Sequence, residues 1–444
     1  MALRGLGMLA STGARRIVAV ALVLFSAAAM AGPLLLVVRH EQERRGLCAI
    51  EPLGSTTVAY ADDVPRRGRF QAEIEYTCFG ARMRESSSPV LWDDGWFSAD
   101  PYAYNHSLAR AASVLSALAY SESAYYQGSS DGVPYMERAM RELGFDEVDT
   151  GSYRYRSEVV DEVLDVVTQD ADGVAYAIAR KRVPAQGGAD RELIAVSIRG
   201  SYGSEWLSNF NLTDAQAAST ADELAAERAG DHSGYRAAAL EILSELDGWI
   251  AESESRGSEV SILLTGHSRG GAVAGLLAAM LDDAAAEGRS SSDPRVYAYT
   301  FASPRTTASV RGNDRRYANI FNIVNPADII TRVPLEDWGY IRYGVDVPLP
   351  GIGSERFDAY RDRMLDSYER ITGSDDAYDA DSALAIDAAV ADMARDVPRP
   401  ADLPTPRGVA AVAAACALRI NPARILLGHY PSVYIAWMEA LPGL

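Results

Sequence analysis

The sequence predicts an α/β protein with a mostly parallel central sheet, and three observations carry that prediction. Short apolar runs alternate with amphipathic helical stretches between residues 193 and 324. A serine framed by glycines, Gly266-His267-Ser268-Arg269-Gly270, sits where one of those runs gives way to a helix. The chain has 444 residues, 48% hydrophobic and 23% charged, which is the balance of a folded body rather than a disordered chain or a bundle of membrane spans.

Taken in order, residues 1–38 stand apart. Ile17 to Val38 is a 22-residue stretch without a charge, preceded by Arg4, Arg15 and Arg16, and it is long enough to cross a bilayer core. Two readings fit: a signal peptide cut after Ala29-Met30-Ala31, or an uncleaved anchor whose apolar run continues through Leu34 to Val38. Gly32-Pro33 argues against a buried helix. Under either reading the remainder is expected to be extracytoplasmic, secreted or held at the membrane by this segment. Export permits a disulfide between Cys48 and Cys78, leaving Cys416 over. These three cysteines lack metal-site spacing, which excludes a zinc module.

Residues 39–100 are rich in Gly, Pro and Ser, with one alternating stretch at Phe70, Ala72, Ile74, Tyr76 and Cys78, so a linker and a small β element are expected. The main domain is expected over residues 101–444. Leu108, Ala111, Val114, Leu115, Leu118 and Ala119 recur at helical spacing after Asn105, a fitting N-cap, and Tyr135 to Leu143 repeats the pattern before Gly144. Val163 to Gln169 and Val174 to Ala179 flank Asp170-Ala171-Asp172-Gly173, whose Asp-Gly pair marks a hairpin turn.

Strands are expected at Leu193 to Ile198, Val260 to Thr265, Val296 to Phe301 and Ile320 to Val324. Helices are expected around Tyr235 to Ala251 and Gly271 to Leu281. Strand alternating with helix makes the later strands parallel and puts chemistry beyond their carboxyl ends. Ser354 to Arg399 carries 12 acidic and 6 basic side chains. An acidic, solvated helical insertion is expected at about residues 351–400. Its Asp375, Asp376, Asp379 and Asp381 lack the glycine of a calcium loop.

The 61 acidic and 42 basic residues give a net charge of −19, and no Lys/Arg cluster offsets it, so nucleic acid is not an expected partner. With no Gly-rich phosphate loop and no ligand cluster, neither a cofactor nor a metal is expected.

The glycine-framed serine carries the chemistry. A tight strand-to-helix turn strains the serine and packs strand against helix, so glycines are needed two positions before and after it. The helix amides behind the serine, that of Arg269 first, then point at a developing oxyanion. A serine hydroxyl needs a general base, and there are five histidines. His40 follows the apolar run, His106 begins a helix and His267 precedes the serine. In α/β-hydrolases the order is Ser, Asp/Glu, His, which excludes His232 and leaves His429. Of the acids between Ser268 and His429, Asp328 directly follows a buried strand and is the expected partner. Arg199-Gly200-Ser201, after another central strand, is expected to give the second oxyanion donor at Ser201.

With these residues in hand, the chain resembles the class 3 (fungal-type) lipases, and more narrowly the exported bacterial members of that family. The resemblance runs from about His106 to Tyr434. It rests on the Arg-Gly-Ser turn with Glu205-Trp206-Leu207-Ser208-Asn209-Phe210, on Asp231-His232-Ser233-Gly234-Tyr235 and on the serine turn. It continues through Thr300-Phe301-Ala302-Ser303-Pro304-Arg305, the Asn325 to Pro334 segment, and His429 with Tyr434.

The resemblance implies an α/β-hydrolase fold and a Ser268, Asp328 and His429 triad, with Ser201 and Arg269 lining the oxyanion hole, a lid after Ser201 and a structural His232. The implied activity is hydrolysis of carboxylic esters of lipids or small molecules through an acyl-enzyme. The alternatives are a short-chain esterase or acyltransferase using the same triad, and a membrane-tethered binding protein with a vestigial site. Two features depart from the family: arginine rather than leucine at position 269, and a 101-residue spacing from Asp328 to His429, lengthened by the insertion.

Overall fold

The computed structural model describes residues 66–78, 84–127, 134–156, 174–184, 191–200, 230–288, 294–402, 405–421 and 424–443. The N-terminal apolar run, Cys48 with its expected bridge to Cys78, and the Asp170 to Gly173 turn lie outside them. Among the described residues no helix is long and apolar enough to cross a membrane.

β1 (Arg69–Cys78) and β2 (Arg84–Asp93) pair antiparallel, from Arg69 opposite Asp93 to Cys78 opposite Arg84. The alternation read from the sequence is the observed pleat: Ala72, Ile74, Tyr76 and Cys78 face inward. This hairpin is no appendage, because its inner face joins the main core with Trp92 and Phe97. α1 (His106–Gln127) starts as expected, with Asn105 Oδ1 accepting the Leu108 amide at 3.1 Å. α2 (Tyr135–Glu142) ends before Gly144, which takes the left-handed φ of +80°.

Then follow β3 (Glu147–Asp149), α3 (Gly151–Arg156), β4 (Tyr176–Val183), β5 (Arg191–Ile198), α4 (Ser233–Ser255) and β6 (Glu259–His267). After them come α5 (Arg269–Ala286), β7 (Arg295–Phe301), β8 (Ile320–Val324), β9 (Val345–Pro348) and α6 (Glu355–Thr372). The chain closes with α7 (Ala380–Asp396), α8 (Pro406–Arg419) and α9 (Pro431–Ala440). The described strands β3 to β9 make one seven-stranded sheet in chain order. The β3–β4 and β4–β5 pairs are antiparallel, and β5 to β9 run parallel. With the serine turn between β6 and α5, this is the α/β-hydrolase fold.

Alternation along the central strands sorts their side chains to two faces. Leu193, Ala195, Leu263, Tyr297, Tyr299 and Phe301 join the core beneath α1, α9 and the hairpin. Ile194, Val196, Ile262, Leu264, Val296 and Ala298 join the core beneath α4 and α5. Strands covered on both faces read as continuous apolar runs, which is why β5, β6 and β7 were visible in the sequence.

The acidic insertion is helical, but its inner faces are not solvated. Phe357, Met364, Tyr368 and Ile371 of α6 are buried in the main core, and Phe357 meets Trp437 of α9 at 5.6 Å between ring centroids. Ile386, Ala389 and Met393 of α7 form a third core with Ala415, Ile420, Ile329 and Ile330. Spacings of three, four and seven residues put these side chains on one stripe of each helix, while the charges that dominate the composition lie on the other faces. Two of the insertion's four acids named above, Asp376 and Asp379, serve as partners. Asp379 caps α7 and pairs with Arg424 at 3.6 Å, and Asp376 also bonds Arg424.

Candidate active site

β6 ends at His267 and α5 begins at Arg269, so Ser268 alone makes the turn, with φ 57° and ψ −127°. That conformation strains any residue with a side chain and persists because the surroundings enforce it. The Ser268 amide donates to the Phe301 carbonyl at 2.8 Å, and the Ser268 carbonyl accepts the first bond of α5 from Ala272 at 3.0 Å. A Cβ on Gly266 would overlap the Gly270 backbone, and one on Gly270 would overlap the carbonyl of Ile198. Close approach of β6, β5 and α5 therefore demands both glycines, as the sequence pattern implied.

The three residues chosen by chain order meet in space. His429 Nε2 lies 3.0 Å from Ser268 Oγ, and His429 Nδ1 lies 2.7 Å from Asp328 Oδ2. A carboxylate accepts, so Nδ1 carries the proton and Nε2 is left to accept the serine hydroxyl. Asp328 and His429 are fully buried and Ser268 is 7% exposed. Asp328 begins a short 3-10 segment, Ile329–Arg332, and its Oδ1 accepts the Ile330 amide at 2.9 Å. His429 ends another, Ile425–His429. The two segments touch so closely that a Cβ on Gly428 would overlap the Ala327 carbonyl.

Several residues of the site carry roles that the sequence alone did not suggest. Tyr434 on α9 donates its hydroxyl to Asp328 Oδ2 at 2.7 Å. Burial, and then the adjacent carboxylate, push its pKa well above the ordinary tyrosine value, so it remains a donor. Asn325 ties the acid's turn to the histidine's: its amide donates to Tyr434 Oη at 3.2 Å and its side chain to the Gly428 carbonyl at 2.8 Å. The signals are faint, an Asn-Pro turn after a buried strand and a tyrosine one helical turn and a half beyond the histidine. Arg342, buried nearby, donates to the Ser303 carbonyl at 2.8 Å and pairs with Asp346 at 2.7 Å.

For the oxyanion, the amide of Arg269 is among the first of α5, which lack acceptors within the helix. Ser201 lies outside the described residues, as does the segment from Ser204 to Leu212 with Trp206. Gly200 is described, and it abuts the nucleophile: a Cβ there would lie 3.2 Å from that of Ser268.

The other described histidines are engaged elsewhere. His232 directly precedes α4 and stacks on Tyr235, with ring centroids 4.1 Å apart. His106 joins the start of α1 to the carbonyls of Met438 and Leu441 at 3.1 and 3.0 Å. His267 points away from Ser268 Oγ, toward Tyr120 and the His429 backbone.

Residues 195–338 match the family model Lipase (class 3). Among solved structures, the lipase of Rhizopus microsporus var. chinensis is 17% identical, with 54% of this chain and 72% of that one covered at a TM-score of 0.35. A triacylglycerol lipase whose catalytic centre is a serine protease triad is 20% identical over 56% of this chain and 82% of that one, at 0.37. Nonglycosylated LIP2 lipase of Yarrowia lipolytica is 19% identical over 55% and 79%, at 0.35. No curated protein matches the chain. The stretch of residues 195–338, which holds the nucleophile and the acid described above, is similar to the class 3 lipases, and the protein is a serine ester hydrolase.

Proposed function

We propose that the protein is an exported hydrolase of lipid carboxylic esters, acting through an acyl-enzyme on Ser268. The observation that carries this reading is the unbroken line from Ser268 Oγ through the His429 ring to Asp328 Oδ2, at 3.0 and 2.7 Å. Ser268 Oγ attacks the ester carbonyl carbon while His429 Nε2 takes its proton. Asp328 holds the resulting imidazolium, and the oxyanion lies at the head of α5, with the Arg269 amide and Ser201 as donors. His429 then protonates the leaving alcohol as the carbon–oxygen bond breaks. Water repeats the sequence and frees the acid.

Lipid esters as substrates are supported by the class 3 lipase match. Export is supported by the uncharged run from Ile17 to Val38, which serves as a leader or as a membrane anchor. Arg269 stands directly after the nucleophile and is partly exposed, a position from which its guanidinium favours substrates with an anionic group.

Hydrolysis of p-nitrophenyl esters from acetate to palmitate by the exported protein tests the substrate class. Turnover rising with acyl length to medium or long chains is expected. Turnover confined to acetate and butyrate would make the protein a short-chain esterase, and transfer to an added alcohol in preference to water would make it an acyltransferase.

A further inference from the structure

The line from serine to aspartate leaves two buried polar side chains beside it without a role, Tyr120 on α1 and His267 at the end of β6. His267 is fully enclosed, with its ring centroid 4.8 Å from that of His429 and 5.6 Å from that of Tyr434. Its Nε2 lies 2.8 Å from the backbone carbonyl oxygen of His429, and its Nδ1 lies 3.0 Å from the Tyr120 hydroxyl. A carbonyl oxygen only accepts, so Nε2 carries the proton. Nδ1 is then the acceptor, and Tyr120 donates to it.

We propose that Tyr120 and His267 are positioning residues for the general base. They form a two-link chain, Tyr120 O–H to His267 Nδ1 and His267 Nε2–H to the His429 carbonyl, that fixes the backbone from which the catalytic ring projects. This inference rests on the hydrolase reading above. Asp328 fixes one edge of the His429 ring but not the main chain beneath it, which lies in a 3-10 segment of five residues. Nucleophile–base geometry is sensitive at the scale of an ångström, so a held carbonyl bears on rate more than on binding.

Among the described residues, Tyr120 from α1, His429 from the 3-10 segment and Tyr434 from α9 are titratable groups that face His267. Burial, and then the closeness of His429, hold His267 neutral. Without the Tyr120 hydroxyl, Nδ1 loses that donor and the ring is held less firmly against the His429 carbonyl.

The test uses the full chain with Tyr120→Phe, His267→Phe and His267→Gln, the last retaining an N–H donor. Hydrolysis of a soluble p-nitrophenyl ester is followed from about pH 5 to 9, beside the rate of fluorophosphonate labelling. Tyr120→Phe and His267→Phe are expected to lower kcat by on the order of 10- to 100-fold while KM stays within about twofold. In Tyr120→Phe the pH profile should keep its shape while its height falls, and His267→Gln should recover part of the rate lost in His267→Phe. Unchanged kcat in Tyr120→Phe, even with a lowered Tm, would overturn the inference and leave a purely structural contact. Tyr120→Phe removes a single oxygen, so it decides the matter should His267→Phe fail to fold. A wild-type protein that does not label would remove the hydrolase reading and this inference together; a labelling wild type with unaltered variants would remove this inference alone.

Discussion

Tyr434 donates its hydroxyl to the same oxygen of Asp328 that receives the proton of His429: Tyr434 Oη and His429 Nδ1 each lie 2.7 Å from Oδ2. With the Ile330 amide on Oδ1, the buried carboxylate has three donors, which offsets the cost of its desolvation. Tyr434→Phe removes one donor and orphans the Asn325 amide that the hydroxyl accepts. It is expected to cost about 1 to 3 kcal/mol of stability and to slow turnover, with urea unfolding and steady-state kinetics as the measurements.

Asp328→Asn should keep the fold and lower kcat by on the order of 10⁴-fold, because an amide at this position favours the wrong tautomer of His429. Circular dichroism beside kinetics checks both halves. An unaltered rate would send the acid's role to another residue.

The serine turn, the acid and the base were open to sequence reasoning because each is fixed by local chemistry. Gly266 and Gly270 are required by backbone overlap, and Asp328 and His429 lie on the side of Ser268 that chain order allows. β2 was hidden because its inward positions are Ser88, Val90 and Trp92, and a serine faces inward there only to meet the Tyr76 hydroxyl at 3.0 Å. β3 and β9 are edge strands of three and four residues, too short to show a period. Tyr434, Asn325, Tyr120 and His267 act through contacts between segments 100 or more residues apart, to which no local pattern points.

His232→Ala should lower Tm while leaving kcat unaltered, since the ring stacks on Tyr235 at the start of α4 and the base is His429. A loss of about 1 kcal/mol is expected from the stacked pair. Loss of catalysis in a folded variant would contradict the assignment of the base to His429.

Met393→Ala opens the third core, which packs α7 against Ile329 and Ile330, the two residues after Asp328. Destabilisation by roughly 2 kcal/mol or more is expected, together with slower ester turnover in the folded fraction. Full activity per folded molecule would show that the insertion does not brace the acid.

Glu122 is buried on α1, where its carboxylate oxygen accepts the Met136 amide at 2.7 Å, and burial pushes its pKa up to about 8. The folded state thus binds this proton more tightly than the unfolded chain. The resulting stability is fully present below the ordinary glutamate pKa and is lost as pH rises through the folded value. Glu122→Gln should therefore flatten the decline in Tm on the alkaline side, and an unaltered slope between pH 5 and about pH 9 would contradict it.

The central claim is that Ser268 is a nucleophile activated by His429. Its most direct measurement is fluorophosphonate labelling of the full chain followed by peptide mass mapping, in wild type, Ser268→Ala and His429→Ala. One adduct on the Ser268 peptide is predicted, absent from Ser268→Ala and formed on the order of 10⁴-fold more slowly in His429→Ala. An adduct on another residue, or equal labelling rates in wild type and His429→Ala, would contradict it.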